Sequence, residues 1–306
     1  MTISRTRSAI TGALALTAAL TLAACGGSST ASSADDATCP HGKIRFGVEP
    51  FEDPAKLTPA FKVVGEALSE KLDCPVEITV VDSYAAEVLA MKNGKLDLGV
   101  FGPLGYVFAS QEAGAEPVAS FGTSDGKLST YNGGIWVKKG SPITSIDDLK
   151  GQSLALSEPG STSGDALPRQ ALADAGIKES DLDITYAGGH PEALLALTHG
   201  KVDAAEINSQ QLATSTSEGQ FDEADYTQIW QSDPIPNDPI TVAGSASPEF
   251  KKAVKDALLD LPAAAVAKAG SLLDVDPAGP LLAVDKSTYQ PLFDLAETLG
   301  LTTDDL

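Results

Sequence analysis

Residues 84–97 read YAAEVLAMKNGKLD, and residues 190–203 read HPEALLALTHGKVD. Aligned without a gap, the two stretches are identical at five of fourteen positions, and Val88/Leu194, Met91/Leu197 and Leu96/Val202 are apolar at matching places. Each opens like a helix, stops at a glycine suited to the left-handed C′ position, and passes through Lys-x-Asp into a strand-like run. A unit of this kind, once in each half of a 306-residue chain, points to two similar α/β lobes. Around the first copy, KIRFGV (43–48), VEITVV (76–81) and LDLGVF (96–101) are short strand-like runs. Between the first two, residues 58–72 set Phe61, Val64, Leu68 and Leu72 on one helical face. Strands that alternate with helices predict βαβ units, hence an α/β fold with a mainly parallel sheet flanked by helices in each lobe. Ligands of such sheets sit beyond the strand C-termini, where helix N-termini point. Two lobes facing each other would aim both sets of N-termini into one cleft.

The length itself suggests about two domains. Charged residues make up 21% of the chain and apolar residues 42%, an ordinary globular mixture. The formal charge of −21 argues against binding to nucleic acid or to anionic lipid headgroups. Three Cys and three His are too few for a Cys/His zinc cluster, so no metal is expected, and no cofactor either.

At the start, Arg5 and Arg7 precede an apolar or small stretch, Ala9 to Ala24. It has the make-up of a secretory signal and is too short and too rich in Ala and Thr for a membrane span. It ends Leu22-Ala23-Ala24-Cys25, which resembles the lipobox of bacterial lipoproteins. That resemblance implies cleavage after residue 24, lipidation of Cys25, and an exported chain held to the outer face of the cytoplasmic membrane by its lipid alone. Losing Arg5 and Arg7 takes the formal charge from −21 to −23. Residues 26–38 (GGSSTASSADDAT) are small and polar and read with Cys25 as a flexible tether, 25–38. Export permits disulfides. Cys39 precedes the run 44–48 and Cys74 the run 76–81, so neighbouring parallel strands would bring both to one end as a disulfide.

The sharpest motif is Gly160-Ser161-Thr162-Ser163-Gly164, between the strand-like 153–157 and the helical 165–176. Free amides at a helix N-terminus and three consecutive hydroxyls suit a tetrahedral oxyanion without any cation, although Ser and Thr there also serve as plain helix caps. His190-Pro191-Glu192 is a second helix start with Pro at its natural first position, which sets His190 at the mouth. Four aromatics stand near strand ends or helix starts, Phe51, Tyr84, Tyr106 and Tyr131, as rim or as core. In the segment 232–239 (SDPIPNDP), prolines restrict the backbone so that Asp238 points in a fixed direction.

GVEPFED, DSYAAEV, FGPLGY, PGSTSG, GGHPEALLAL and IPNDPITV occur in this order. Together, over residues 40–245, they resemble the solute-binding proteins of phosphonate, phosphite and phosphate ABC importers. The resemblance implies a bilobed periplasmic-binding-protein fold of type II with two crossings, near 131–135 and 236–240. Lobe one would comprise 39–130 with 241–306 and lobe two 131–240, with helices 249–261 and 287–299 packing back on lobe one. It implies ligand-facing roles for Tyr84 and Tyr131, an oxyanion cradle at Ser161, Thr162 and Ser163, His190 at its helix start, and a carboxylate at Asp238. Phe51 and Tyr106 complete the candidate set. One position departs: where aminoethylphosphonate binders place a Glu against the amine, this chain has Gln210, which disfavours an aminophosphonate. The expected ligand is phosphite, phosphate or a small alkylphosphonate, the expected partner a membrane permease, and the expected state a monomer. Another small anion, a thiamine-type precursor or a role as a sensor lobe remains open. An enzyme is disfavoured, because Thr162 stands where a hydrolase elbow needs its nucleophile and no Ser-Asp-His order follows.

Overall fold

Asp53 accepts a hydrogen bond from the Ala55 amide at 2.8 Å and Pro54 fills the first helical position, so the first long helix runs Pro54–Leu72. It starts four residues ahead of the expected 58 because the Asp-Pro pair is itself a helix start. The computed structural model describes residues 37–306. The signal stretch, Cys25 and the tether up to residue 36 lie outside the described residues.

The strands of the first half are β1 (Ile44–Val48), β2 (Val76–Val80), β3 (Leu98–Val100), β4 (Glu116–Thr123), β5 (Thr130–Tyr131) and β6 (Gly134–Lys138). Those of the second are β7 (Ser153–Leu156), β8 (Asp183–Tyr186), β9 (Ala204–Glu206), β10 (Tyr226–Gln231), β11 (Ile235–Pro236), β12 (Pro239–Val242) and β13 (Ala278–Leu282). One sheet has the order β13-β4-β12-β3-β1-β2 and the other β10-β6-β9-β7-β8. The two orders correspond strand for strand, β2-β1-β3-β12-β4 to β8-β7-β9-β6-β10, with the same relative directions, so the repeated sequence unit holds equivalent places in the two sheets. Its helices, Tyr84–Lys92 and His190–Thr198, lead into the equivalent strands β3 and β9. Its aspartates do the same work: Asp97 accepts from the Arg45 amide at 2.8 Å, and Asp203 from the Ser153 amide at 3.0 Å. Each thereby ties the incoming strand to the first residues of β1 or β7.

β1 pairs in parallel with β2 and β3, and β7 with β8 and β9. β12 and β6 run antiparallel to both their neighbours. Strand directions are mostly shared, but the pairing is more mixed than βαβ alternation suggests: the first crossing delivers β6 reversed into the second sheet, the second delivers β12 reversed into the first, and β13 pairs antiparallel with β4. The crossings lie side by side, β5 pairing antiparallel with β11 through Tyr131 and Ile235.

Apolar clusters cover both faces of both sheets. Helix Pro54–Leu72 buries Leu57, Phe61, Val64 and Leu68 on one face of the first sheet, together with helix Pro248–Leu259. Helix Gln290–Leu299 packs on the other face. Parallel pairing of Ile44 with Val76 sets Cys39 and Cys74 at one end, where they form a disulfide with Cα atoms 5.4 Å apart.

Candidate functional site

Beyond the C-termini of the central strands of both sheets lies a small cavity of ≈ 10 Å³, room for about one water-sized sphere. The first sheet side contributes Glu49, Phe51, Tyr84 and Gly102, and the second Ser161, Thr162, His190, Asn208 and Gln210, while the crossings contribute Tyr131 and Asp238. None of these described lining residues is Lys or Arg.

The GSTSG segment starts its helix earlier than expected, with a π-helical turn over Thr162–Ala166 that continues into helix Leu167–Asp174. Ser161 caps that turn, accepting from the Gly164 amide at 3.1 Å, and its hydroxyl also lies 3.2 Å from His190 Nε2. The helix cap and the expected anion cradle therefore fall on the same side chain. Gly164 admits this closeness: a Cβ there would stand 1.9 Å from Ser157 Oγ and 2.8 Å from His190 Cε1. Thr162 Oγ1 accepts from the Leu104 amide at 2.8 Å, bridging from the second lobe to the first turn of helix Pro103–Ala113. A second bridge runs from the Tyr84 amide to Glu158 at 3.1 Å. Ser163 is not a lining residue; it accepts from Asn208 Nδ2 at 3.1 Å, one layer behind.

His190 Nδ1 sits 2.9 Å from the buried Glu206 carboxylate. Burial pulls the imidazole pKa down, but Glu206 outweighs it and the net shift is upward. With Nδ1 donating to Glu206, Nε2 faces Ser161 and the cavity. The phenols of Tyr84 and Tyr131 are pushed well above their ordinary range, first by burial and then by the carboxyls Glu49 and Asp238. Both stay protonated and keep an O–H to donate.

Asp238 is held by its backbone. Ser120 Oγ donates to the Asn237 and Asp238 carbonyls at 3.0 and 2.9 Å, and the Tyr289 hydroxyl donates to the Asn237 carbonyl at 2.8 Å. Asn237, itself buried, accepts from the Asp238 amide and from Gln210 Nε2, each at 3.0 Å. Gln210 thus both lines the cavity and holds the second crossing. Burial lifts the Asp238 carboxyl to about 7, with His190 pulling the other way.

Tyr106 is corrected: it does not reach the cavity. It lies in helix Pro103–Ala113 and packs edge-on against Tyr289 and Phe293, with centroids 5.3 and 5.7 Å away, because the helix turns that face toward the core. Sequence reasoning missed Glu49, Glu206, Asn208 and Gly102. Two of these had a signal. Glu49 is a carboxylate directly after an apolar strand, where ligands of such sheets sit, and Glu206 is a charge inside the buried run β9, which demands a partner.

The family model for "ABC transporter, phosphonate, periplasmic substrate-binding protein" matches residues 46–289. The chain belongs to this family. Within it, the chain is 27% identical over 242 residues to the phosphate-import protein PhnD of Mycolicibacterium smegmatis, covering 76% of this chain and 75% of that one. It is 28% identical over 218 residues to the phosphonates-binding periplasmic protein of Escherichia coli, covering 70% of this chain and 64% of that one. The structure of PhnD1 from Prochlorococcus marinus in complex with methylphosphonate shares the fold, with a TM-score of 0.73 at 20% identity, covering 85% of this chain and 98% of that one. Family membership and shared architecture make this a two-lobed, extracytoplasmic binding protein of the ABC-transporter class.

Proposed function

We propose that this chain captures a small phosphorus oxyanion, phosphite, phosphate or a small alkylphosphonate, between its lobes and delivers it to a membrane permease. The observation that carries the reading is the set of groups around the cavity: hydroxyl and imidazole donors from both lobes face buried carboxyls with no lining Lys or Arg, and a small parting of the lobes widens the one-water space to admit the anion. Tyr84, Tyr131, Ser161, Thr162 and His190 are the donors to the anion's oxygens. Asp238 accepts the hydrogen of a P–OH group, which a phosphonate or phosphite monoanion carries because second pKa values of phosphate type lie near 6. Sulfate and sulfonates bring no such hydrogen and meet Asp238 as an unpaired charge.

Each lobe holds only part of the donor set, so the ligand binds the closed arrangement best and shifts the population toward it. In this reading the lobes are 39–130 with 241–306, and 131–240, hinged at β5 and β11. The chain works as a monomer and not as an enzyme. A lipid on Cys25 and the tether hold it outside the membrane, which it touches through that lipid alone. The large negative charge is screened over about 8 Å and competes weakly with the fixed donors of the cavity.

The test is to titrate Asp238→Asn with sulfate at about pH 8, where the carboxyl in the unmodified chain is ionised, and with methylphosphonate at about pH 6, where about half of the ligand is the monoanion. The variant should gain sulfate binding and lose methylphosphonate affinity. Sulfate still excluded by Asp238→Asn would contradict the assignment.

A further inference from the structure

The cavity holds a second carboxyl that an anion site does not explain by itself. Glu49 follows β1 directly, is 1% exposed, and its Oε2 has no hydrogen-bond partner. It leans on the first turn of helix Pro103–Ala113: a Cβ on Gly102 would stand 2.5 Å from Glu49 Oε1, so only glycine lets the carboxyl approach that amide. The groups that face it are mostly acidic. Asp238 comes from the second crossing, Glu87 from helix Tyr84–Lys92, and Glu158 from the loop after β7. The phenols of Tyr84 and Tyr131 also face it and carry no charge that would neutralise it. His190, the lining residue that can carry a positive charge, is already paired with Glu206.

We propose that Glu49 is a ligand-facing carboxylic acid which, paired with Asp238 across the cavity, makes the site hold its anion together with two acid hydrogens, one shared with each carboxyl. This inference rests on the functional reading above and concerns the same site. Two ionised carboxylates against one anion would repel it, so each must share a hydrogen with a ligand oxygen. The hydrogen comes either from a P–OH group or from the carboxyl itself. A dihydrogen phosphate ion carries both. A methylphosphonate or phosphite monoanion carries one, and the other must be taken up from solvent by Glu49. Sulfate carries none and needs two. Burial and the charges of Asp238 and Glu87 push the Glu49 carboxyl well above its ordinary range, in the direction that favours holding this proton. The number of acid hydrogens on an anion thereby becomes a basis for discrimination, separate from its size.

The experiment is calorimetric titration of the purified full chain and of Glu49→Gln with methylphosphonate, from about pH 6 to about pH 9. Gln keeps the shape and presents an amide hydrogen that does not titrate. Once Glu49 ionises in the free protein, affinity of the unmodified chain should fall by one more factor of about ten per pH unit than that of Glu49→Gln. Titrating the unmodified chain alone, in imidazole and in Tris at equal pH, counts the protons taken up and serves if the variant does not fold. That count should be larger for methylphosphonate than for phosphate by about one. Equal pH profiles in both proteins, or equal counts for both ligands, would overturn the role of Glu49 while leaving the phosphorus-anion reading standing. An unmodified chain that binds no phosphorus oxyanion would overturn both.

Discussion

Replacing Asp238 by Asn should make the ligand-free protein more stable, by a margin that grows with pH. Burial at the second crossing lifts this carboxyl from 3.8 to about 7. A raised folded-state pKa means that the folded chain keeps a proton which the unfolded chain has released, so its stabilising contribution is complete below about pH 4 and is lost as pH rises through about 7. Asn mimics the protonated acid and has nothing to lose. The gap should therefore be small at about pH 4, reach about 2 kcal/mol at about pH 5, and level off near 4 kcal/mol above about pH 7, since each of about three pKa units is worth about 1.4 kcal/mol. Glu49 and Glu87 are also held up by the charge of Asp238, so its removal relaxes both and adds in the same direction. The assay is urea unfolding followed by circular dichroism, for both proteins, at a series of pH values in phosphate-free buffers. A gap that is constant, or that shrinks as pH rises, would refute the burial argument.

Cys39→Ser should cost about 4 kcal/mol of stability, because the disulfide closes a loop of 35 residues, yet leave ligand affinity unchanged, because it sits at the opposite end of β1 from the cavity; urea midpoints and calorimetry check the two halves. Tyr131→Phe should fold normally and lose about 10–100-fold in affinity for methylphosphonate, the worth of a hydrogen bond to a charged group. Asn237→Ala removes the side chain that joins Gln210, Ser129 and the Leu273 carbonyl to the Asp238 backbone, so affinity should drop at least about tenfold with a loss of about 2–4 kcal/mol in stability.

The repeated unit at 84–97 and 190–203 carried the architecture, because helix, glycine stop and Lys-x-Asp each have a local cause that survives in the folded chain. The disulfide was legible for the same reason: its two cysteines precede strands that had to be neighbours. Helix Pro54–Leu72 shows how a start is misplaced when apolar periodicity is weighed above a cap, since Asp53-Pro54 lies four residues ahead of the first spaced apolar position used. Tyr106 shows the limit of reading aromatics near strand ends, because helix phase decides whether such a ring meets the cavity or the core, and phase depends on packing. The cavity's second carboxyl, Glu49, was inside a quoted motif yet unread. Its meaning comes from neighbours 38 to 189 positions further along the chain, Glu87 and Asp238, and from the approach allowed by Gly102. Asn237 acts through long-range hydrogen bonds that no local pattern announces.

The most direct test of the central claim is calorimetric titration of the ligand-free chain with phosphite, phosphate, methylphosphonate, aminoethylphosphonate and sulfate, in amine buffers free of phosphorus and sulfur anions. The account predicts tight binding of a small phosphorus oxyanion, weak or no binding of aminoethylphosphonate, and silence with sulfate. Folded, ligand-free protein that binds none of the phosphorus compounds, or that binds sulfate best, would contradict it.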